Sequence, residues 1–259
     1  MHSILKLIYL YFIWFGINLP VFWKSLMRIP SYVSDYINLK KQRGGNFKII
    51  PNYPCLTDKD DNWWVAQWHY FHQDLLVAQK IYKANPQKHV DIWSRIDWFV
   101  SHVATFRKIE VFDIRPIENH VDNIKFKQAD LMNLDESLIN YTSSISSLHV
   151  IEHFWLWRYW DIIDINWHLK WLENVYKILK RWGIFYFAVP IGDQRIEFNA
   201  HRIFSIKYLN DIFNDRYDLV DFSYVDDNWN LHVHVDIKTW IKNNFNCKYG
   251  CWIFELRKV

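Results

Sequence analysis

The chain has very little glycine: only six of its 259 residues are glycine. At an ordinary frequency of about 7%, roughly 18 would be expected. Cysteine is also scarce, with three residues, so a disulfide framework is excluded and a reducing, cytoplasmic environment is predicted. Cys247 and Cys251 are close in sequence, but without a second pair of ligands they make a poor zinc site, and no metal is predicted.

The chain also lacks an excess of charge of either sign. Its 31 basic and 28 acidic side chains give a net charge of +3, which is too small to predict nucleic acid as a partner. Charged residues make up 23% of the chain and apolar residues 51%, proportions that exclude a disordered tail protein. A chain of this length can form one large domain or two small ones.

Tryptophan is the residue that the chain has in excess. There are 16 tryptophans, where a frequency of about 1% would give roughly three. The shortage of glycine and the surplus of tryptophan are nearly equal in size. This match affects how each glycine-dependent motif in the sequence is interpreted.

Residues 4–23 are almost all apolar and form the first distinct segment. A membrane-spanning helix needs about 20 apolar residues, so the length is just sufficient, but Lys6, Asn18 and Pro20 argue against it. No small-residue cleavage site follows, so a secretory signal is not predicted. Three alternatives stay open: a helix in the membrane interface, a helix packed on the main domain, and a spanning helix. We expect a cytoplasmic protein, for which peripheral membrane contact through this segment is one alternative.

A basic stretch with a glycine pair and two prolines follows at residues 40–54 and predicts a linker. We therefore divide the chain into two parts. Residues 1–45 are expected to form an apolar helix and a basic linker, and residues 46–259 are expected to form the main domain.

Patterns typical of helices and strands alternate from about residue 70 onward. This alternation predicts an α/β fold with a Rossmann-like, doubly wound and mostly parallel sheet. Little helix separates the last two strands, so an antiparallel C-terminal edge strand is expected. The predicted strands are residues 89–92, 109–114, 124–131, 144–151, 184–191, 217–225 and 249–258, and the predicted helices are residues 70–85, 99–106, 168–180, 205–215 and 237–245.

Acidic residues stand at the ends of the first three strands, where ligands bind in a doubly wound sheet. Asp91 begins a turn that reads D-I-W-S-R-I-D-W, whereas a nucleotide-binding turn would read D-I-G-x-x-x-x-G. Trp93 and Trp98 therefore stand at both glycine positions. Asp113 follows about 20 residues later, where an acid binds ribose hydroxyls in Rossmann-like sites. Asp130, at the end of the third strand, is suited to the edge of an adenine ring.

Several longer segments carry a resemblance to a known superfamily: HYFHQDLLVAQKIYKANPQKHVDI, ENHVDNIKFKQADLM, SSLHVIEHF and FNAHRIF. Together they resemble class I S-adenosylmethionine-dependent methyltransferases, over roughly residues 62–259. The closest likeness is to an uncharacterised family of that superfamily, a domain of unknown function found in nematodes and bacteria. The resemblance implies S-adenosylmethionine as cofactor. The candidate cofactor-binding residues are Asp91, Trp93, Ser94, Arg95, Asp113, Ile114, Asp130, Leu131 and His149.

The chain departs from that family mainly by carrying tryptophan where the family has glycine. Counting thirteen tryptophans as glycine gives 19 glycines and leaves three tryptophans, which restores ordinary totals. The hypothesis is a decoding artefact in a bacterial sequence, since some bacteria read UGA as glycine where another translation table reads tryptophan. Arg181, where the family has proline, is not explained by this hypothesis. The clearest positions are Trp93, Trp98, Trp155, Trp157, Trp160, Trp167, Trp182, Trp229 and Trp252, and Trp64, Trp68, Trp171 and Trp240 are suspected as well.

The candidate catalytic residues lie at the end of the fourth strand and in a later loop. His153 is the candidate general base, because histidine titrates near neutral pH, and Glu152 or His201 would orient it. A structural hydrogen-bond network of the same residues is an equally good interpretation. The resemblance favours methyl transfer to a hydroxyl group of a small molecule or glycan. A non-catalytic binding domain stays open, as does a metal-dependent hydrolase that uses these three residues and His149.

Overall fold

The computed structural model describes residues 9–41, 54–57, 66, 68–115, 120–153, 166–197, 200–237 and 243–259. The chain divides into two compact units, Met1–Val65 and Ala66–Val259. The domain boundary that the sequence predicts after residue 45 lies outside the described residues.

The first unit contains helical structure at residues 9–14 and helix α1 at Leu19–Lys41. None of the side chains of α1 is buried, and its last turn carries Lys40 and Lys41. The described helices include none that is long and apolar enough to cross a membrane. The predicted peripheral membrane contact stays a prediction, and residues 4–8 of the predicted segment lie outside the description.

The second unit is built on an eight-stranded sheet with the order β3-β2-β1-β4-β5-β10-β8-β9. Strands β1 to β5 pair in parallel, and β10 is antiparallel to both of its neighbours. A small separate sheet pairs β6 with β7. The strands are β1 (Val90–Ile92), β2 (Ile109–Asp113), β3 (Ile124–Gln128), β4 (Thr142–Leu148), β5 (Leu179–Ile191), β6 (Arg195–Glu197), β7 (His201–Ile203), β8 (Tyr217–Val225), β9 (Leu231–His232) and β10 (Gly250–Lys258).

This architecture confirms the predicted fold class, a doubly wound and mostly parallel sheet with an antiparallel C-terminal strand. The structure gives that strand a different position from the one expected, because β10 lies between β5 and β8 and the edge is the short β9. The reason is visible in its side chains: most of β10, including Ile253, Phe254 and Leu256, is buried. A strand that is apolar on both faces is stable only inside a sheet.

Helices cover both faces of the sheet. Successive residues of β5 point to opposite faces, so Tyr186 packs with α2 (His69–Ala84) while Phe185 and Phe187 pack with α4 (Trp167–Ile178) and α5 (Ile206–Phe213). The short α3 (Ser101–Ala104) joins α2 on its face. This arrangement leaves the carboxyl edge of the parallel strands as the place for a site.

Most predicted elements appear within a few residues of their expected limits. An exception is the helix predicted at residues 237–245: residues 238–242 lie outside the described part, and Asn244–Asn246 forms a 3-10 turn. The small β6–β7 sheet and the short strand β9 were not predicted, because strands of two or three residues leave too little periodic pattern to recognise.

Candidate functional site at the carboxyl edge of the sheet

The turn after β1 is braced to β4 by a buried aspartate. Asp91 Oδ1 accepts hydrogen bonds from Ser146 Oγ at 2.6 Å and Ser94 Oγ at 2.9 Å, and Asp91 Oδ2 accepts one from Ser94 N at 2.9 Å. Burial, together with the nearby charge of Asp113, raises the pKa of Asp91 to about 6, although the serine hydrogen bonds act in the opposite direction. Asp91 and Ser94 thus fix the shape of the turn, and Arg95 is exposed beside them.

The backbone of this turn has the conformation that favours glycine. Trp93 has a φ of +64°, in the left-handed region. A bulky side chain with positive φ costs about 1–3 kcal/mol, whereas glycine adopts this conformation freely. Three further tryptophans share this conformation among the described residues: Trp68 at +79°, Trp182 at +65° and Trp229 at +67°. All four belong to the thirteen tryptophans that, by the decoding hypothesis, stand in place of glycine.

Indole rings fill the space beside the first turn. The Trp93 ring stacks on that of Trp167 with 5.9 Å between centroids, and Trp171 lies 6.3 Å from Trp93. The indole N–H groups of Trp171 and Trp252 are buried and have no hydrogen-bond partner within the described structure, which costs about 1–3 kcal/mol each. The backbone of the turn therefore has a conformation that favours glycine, and the Trp93 indole fills the space beside it.

The end of β2 carries Asp113, the candidate ribose-binding residue. Its carboxylate accepts hydrogen bonds from Arg115 N at 2.9 Å, Arg115 Nε at 3.2 Å and Arg115 Nη2 at 3.1 Å. The Arg115 side chain is largely exposed, whereas the Asp113 side chain is mostly covered. Ile114, the next residue, is half exposed at the same edge.

The loop after β3 holds the third acidic candidate. Asp130 Oδ1 accepts a hydrogen bond from Met132 N and Oδ2 accepts one from Asn133 Nδ2, both at 2.8 Å. Leu131 is fully buried, and its carbonyl accepts a 2.6 Å hydrogen bond from Asn174 of α4. Asp130 therefore stabilises its own turn, and each of its oxygens retains a further lone pair for a ligand.

His149, directly after β4, lies at the centre of a buried polar cluster. Its Nδ1 is 2.8 Å from Glu152 Oε1 and its Nε2 is 3.1 Å from Cys251 Sγ, so both ring nitrogens have protein partners. Cys251 belongs to β10 and is fully buried. The backbone of His149 has a φ of +54°, which turns the chain sharply at this point. The structure therefore assigns His149 to contacts with Glu152 and Cys251.

The charges of this cluster stabilise one another. Burial lowers the pKa of His149, but the sulfur of Cys251 and the carboxylate of Glu152 outweigh that effect and raise it to about 10. Burial raises the pKa of Glu152, but the His149 cation outweighs it and the net shift is downward. Burial raises the pKa of the Cys251 thiol. His149 therefore lies between two groups, the Glu152 carboxylate and the Cys251 sulfur, that both favour its protonated form.

The three candidate catalytic residues lie close together. His153 Nε2 is 3.7 Å from Glu152 Oε1, and the rings of His153 and His201 are 6.1 Å apart. His153 Nδ1 donates a hydrogen bond to the Ala200 carbonyl at 2.9 Å, which leaves Nε2 as the nitrogen without a proton in the neutral ring. His201 is 3.3 Å from Glu197, an exposed carboxylate.

The sequence interpretation missed the contribution of α2 to this cluster. His69 and Gln73 are buried on the same helix face as Val77 and Ile81, and the ring of His69 stacks on His149 with 5.8 Å between centroids. A spacing of four residues places these side chains on one face. Two polar residues on an otherwise apolar helix face were the signal that could have indicated a buried polar site.

The geometry does not assemble a metal centre. Within the described ranges, no three or more histidine, cysteine, aspartate or glutamate side chains are arranged to hold a metal ion. The metal-dependent hydrolase that the sequence left open therefore has no supporting arrangement in this part of the chain.

Solved structures with a similar fold include methyltransferases. The chain is similar to the N-methyltransferase NodS of Bradyrhizobium japonicum in complex with S-adenosylhomocysteine (TM-score 0.50, 12% identity, 77% of this chain and 92% of that one). It is also similar to a Burkholderia thailandensis 1,6-didemethyltoxoflavin-N1-methyltransferase with bound S-adenosylhomocysteine (TM-score 0.50, 12% identity, 93% of this chain and 90% of that one). These likenesses and the strand order define the class: this is a class I S-adenosylmethionine-dependent methyltransferase fold.

Residues 106–244 match the family described as Caenorhabditis protein of unknown function, DUF268. The match covers more than half of the chain, so the chain belongs to this family. No curated protein matches it. The resemblance to a family of unknown function that was stated from the sequence is confirmed, and so is the methyltransferase fold that it implied.

Proposed function

We propose that this protein is an S-adenosylmethionine-dependent methyltransferase that acts on a hydroxyl group of a small molecule or glycan. The observation that carries the proposal is the set of acidic residues Asp91, Asp113 and Asp130 along one edge of a sheet with this strand order. In this role Asp113 accepts hydrogen bonds from the ribose hydroxyls of the cofactor. Asp130 and Leu131 lie at the edge of its adenine ring, and the turn at residues 91–95 lies beside its methionine part. S-adenosylmethionine, when bound, supplies an electrophilic methyl group.

The protein's own part in the reaction is to position the acceptor and remove its proton. His153 Nε2 takes the hydroxyl proton, because Nδ1 already donates to the Ala200 carbonyl. The carboxylate of Glu152, 3.7 Å away, stabilises the imidazolium that results. A positioned base of this kind contributes about 10²–10⁴-fold to rate.

We propose further that glycine occupies the tryptophan positions of the functional protein. The positive φ of four tryptophans and the unpartnered indole N–H groups of Trp171 and Trp252 support this proposal. A glycine variant is therefore the form to test. We define it as the full chain with glycine at the four positive-φ positions, residues 68, 93, 182 and 229.

Replacing Asp113 with alanine in the glycine variant should weaken the binding of S-adenosylhomocysteine by about 10- to 100-fold, measured by titration calorimetry. The reason is the loss of hydrogen bonds to a charged acceptor, worth about 1.5–3 kcal/mol. Asp218→Ala is the matched control, since Asp218 also pairs with an arginine but lies at the opposite end of the sheet. An unchanged affinity in the Asp113 variant would remove this residue from the site.

Replacing His153 with alanine should lower turnover about 10²- to 10⁴-fold without weakening cofactor binding. The assay requires a compound that the protein methylates. This compound must first be identified by screening hydroxyl-bearing small molecules and glycans. If cofactor affinity and thermal stability fall together with turnover, His153 has a structural role instead. A screen that produces no methylated compound would favour a non-catalytic binding domain.

A further inference from the structure

We propose that His69 and Glu152 bind the acceptor substrate through two hydroxyl groups, so that the acceptor is an uncharged polyol such as a sugar ring. This inference rests on the proposed methyltransferase function and specifies its substrate. It starts from two buried hydrogen-bond acceptors, His69 Nε2 and Glu152 Oε2, that have no donor among the described residues.

His69 Nε2 is an acceptor when Nδ1 carries the proton of the neutral ring. Nε2 is buried and makes no hydrogen bond in the described structure. Burial and the positive charge of His149 lower the pKa of His69 to about 3, so the ring is neutral at physiological pH. His69 is almost fully buried, with an exposed fraction of 3% for the residue.

Glu152 supplies the second acceptor. Its Oε1 binds His149, while its Oε2 is buried without a donor, and the side chain is fully covered. An unsatisfied buried acceptor destabilises the fold, which is a reason to expect a donor from a ligand. His149 joins the two groups, because it binds Glu152 at 2.8 Å and stacks on His69.

The charges of the cluster select an uncharged ligand. Two acceptors require a ligand with two donors, which hydroxyl groups supply and an ionised phosphate or carboxylate does not. The carboxylate of Glu152 is already paired with His149 at 2.8 Å, so its second oxygen offers a ligand a hydrogen-bond acceptor that lies in an existing ion pair. A polyol meets both conditions.

Two tryptophans cover this cluster in the chain as printed. The Trp229 ring lies 4.8 Å from the His69 ring and 5.4 Å from the Trp68 ring. Both tryptophans have the positive φ that favours glycine. Glycine at these two positions removes the cover from His69 and leaves room for a ligand above it.

The test is an NMR titration of the glycine variant with methyl glucoside, glucose 6-phosphate and glucosamine, following the ring protons of His69. Methyl glucoside should shift these signals saturably and bind more tightly than the phosphate or the amine. His69→Phe should weaken methyl glucoside binding by about 5- to 100-fold, because it removes the acceptor and keeps a ring. His102→Phe, which replaces an exposed histidine of α3, is the control and should leave the affinity unchanged.

The inference is overturned if methyl glucoside causes no shift, if a charged ligand binds more tightly, or if His69→Phe binds as well as its parent. Calorimetry with S-adenosylhomocysteine on the same protein separates the two proposals. Cofactor binding without glucoside binding overturns the polyol site alone. Glucoside binding without cofactor binding supports the polyol site and contradicts the methyltransferase proposal.

Discussion

The glycine variant should bind S-adenosylhomocysteine with a micromolar dissociation constant, whereas the chain as printed should show no binding at millimolar ligand, a difference of at least about 10³-fold and 4 kcal/mol. The reason lies at Trp93, whose indole fills the space beside the turn and whose φ of +64° favours glycine. Titration calorimetry on the two purified chains measures the difference. Equal binding by both would show that Trp93 does not obstruct the cofactor.

A change in stability should accompany the change in binding. Trp182 is more than half exposed and has a φ of +65°, so Trp182→Gly should stabilise the fold by about 1–3 kcal/mol. Trp23→Gly is the matched control, because Trp23 is also exposed but lies inside helix α1, where glycine should cost about 1 kcal/mol. Denaturant unfolding should therefore show that the first substitution raises the free energy of unfolding and the second lowers it. Changes of equal sign would show that the positive φ of Trp182 does not destabilise the fold.

The second large effect is expected at Glu152. Glu152→Gln breaks the buried ion pair with His149 and should lower the free energy of unfolding by about 3–5 kcal/mol, measured by urea unfolding. The pKa of His149 is raised to about 10 in the folded state from 6.5, so the stabilisation is fully present below pH 6.5 and is lost as the pH rises through 10. The difference between the two proteins should shrink over that range.

Glu197→Gln is the control for this experiment. Glu197 also faces a histidine, His201, but its side chain is 46% exposed, so this pair should contribute less than about 1 kcal/mol. If Glu152→Gln unfolds like Glu197→Gln, the His149–Glu152 pair does not stabilise the fold. In that case the cluster must be assigned a different charge state.

The sheet was predictable from the sequence because short apolar or alternating runs recur between helical patterns, which leaves few arrangements for the strands. Asp91 lies within the first of these strands, Asp113 ends the second, and Asp130 follows the third by two residues. The position of β10 was not predictable from the same pattern. A C-terminal strand with both faces apolar can only be placed once its neighbours β5 and β8 are known.

The polar cluster was only partly predictable. Glu152 and His153 were predicted as site residues because they follow the fourth strand. The hydrogen bond of Glu152, however, is with His149, while His153 lies farther from it at 3.7 Å. Cys251 lies about 100 residues after His149 in the chain, and His69 lies about 80 residues before it. Contacts of this kind depend on the packing of α2 against the sheet and on the position of β10 next to β5, which no local pattern encodes.

The coding DNA tests most directly whether the gene encodes glycine, and with it a methyltransferase site, at the positions that read as tryptophan. UGA codons are expected at the nine clearest positions. UGG codons at most of them would contradict it, and the printed chain would then be a defective cofactor binder. The codons to read are those of Trp93, Trp98, Trp155, Trp157, Trp160, Trp167, Trp182, Trp229 and Trp252.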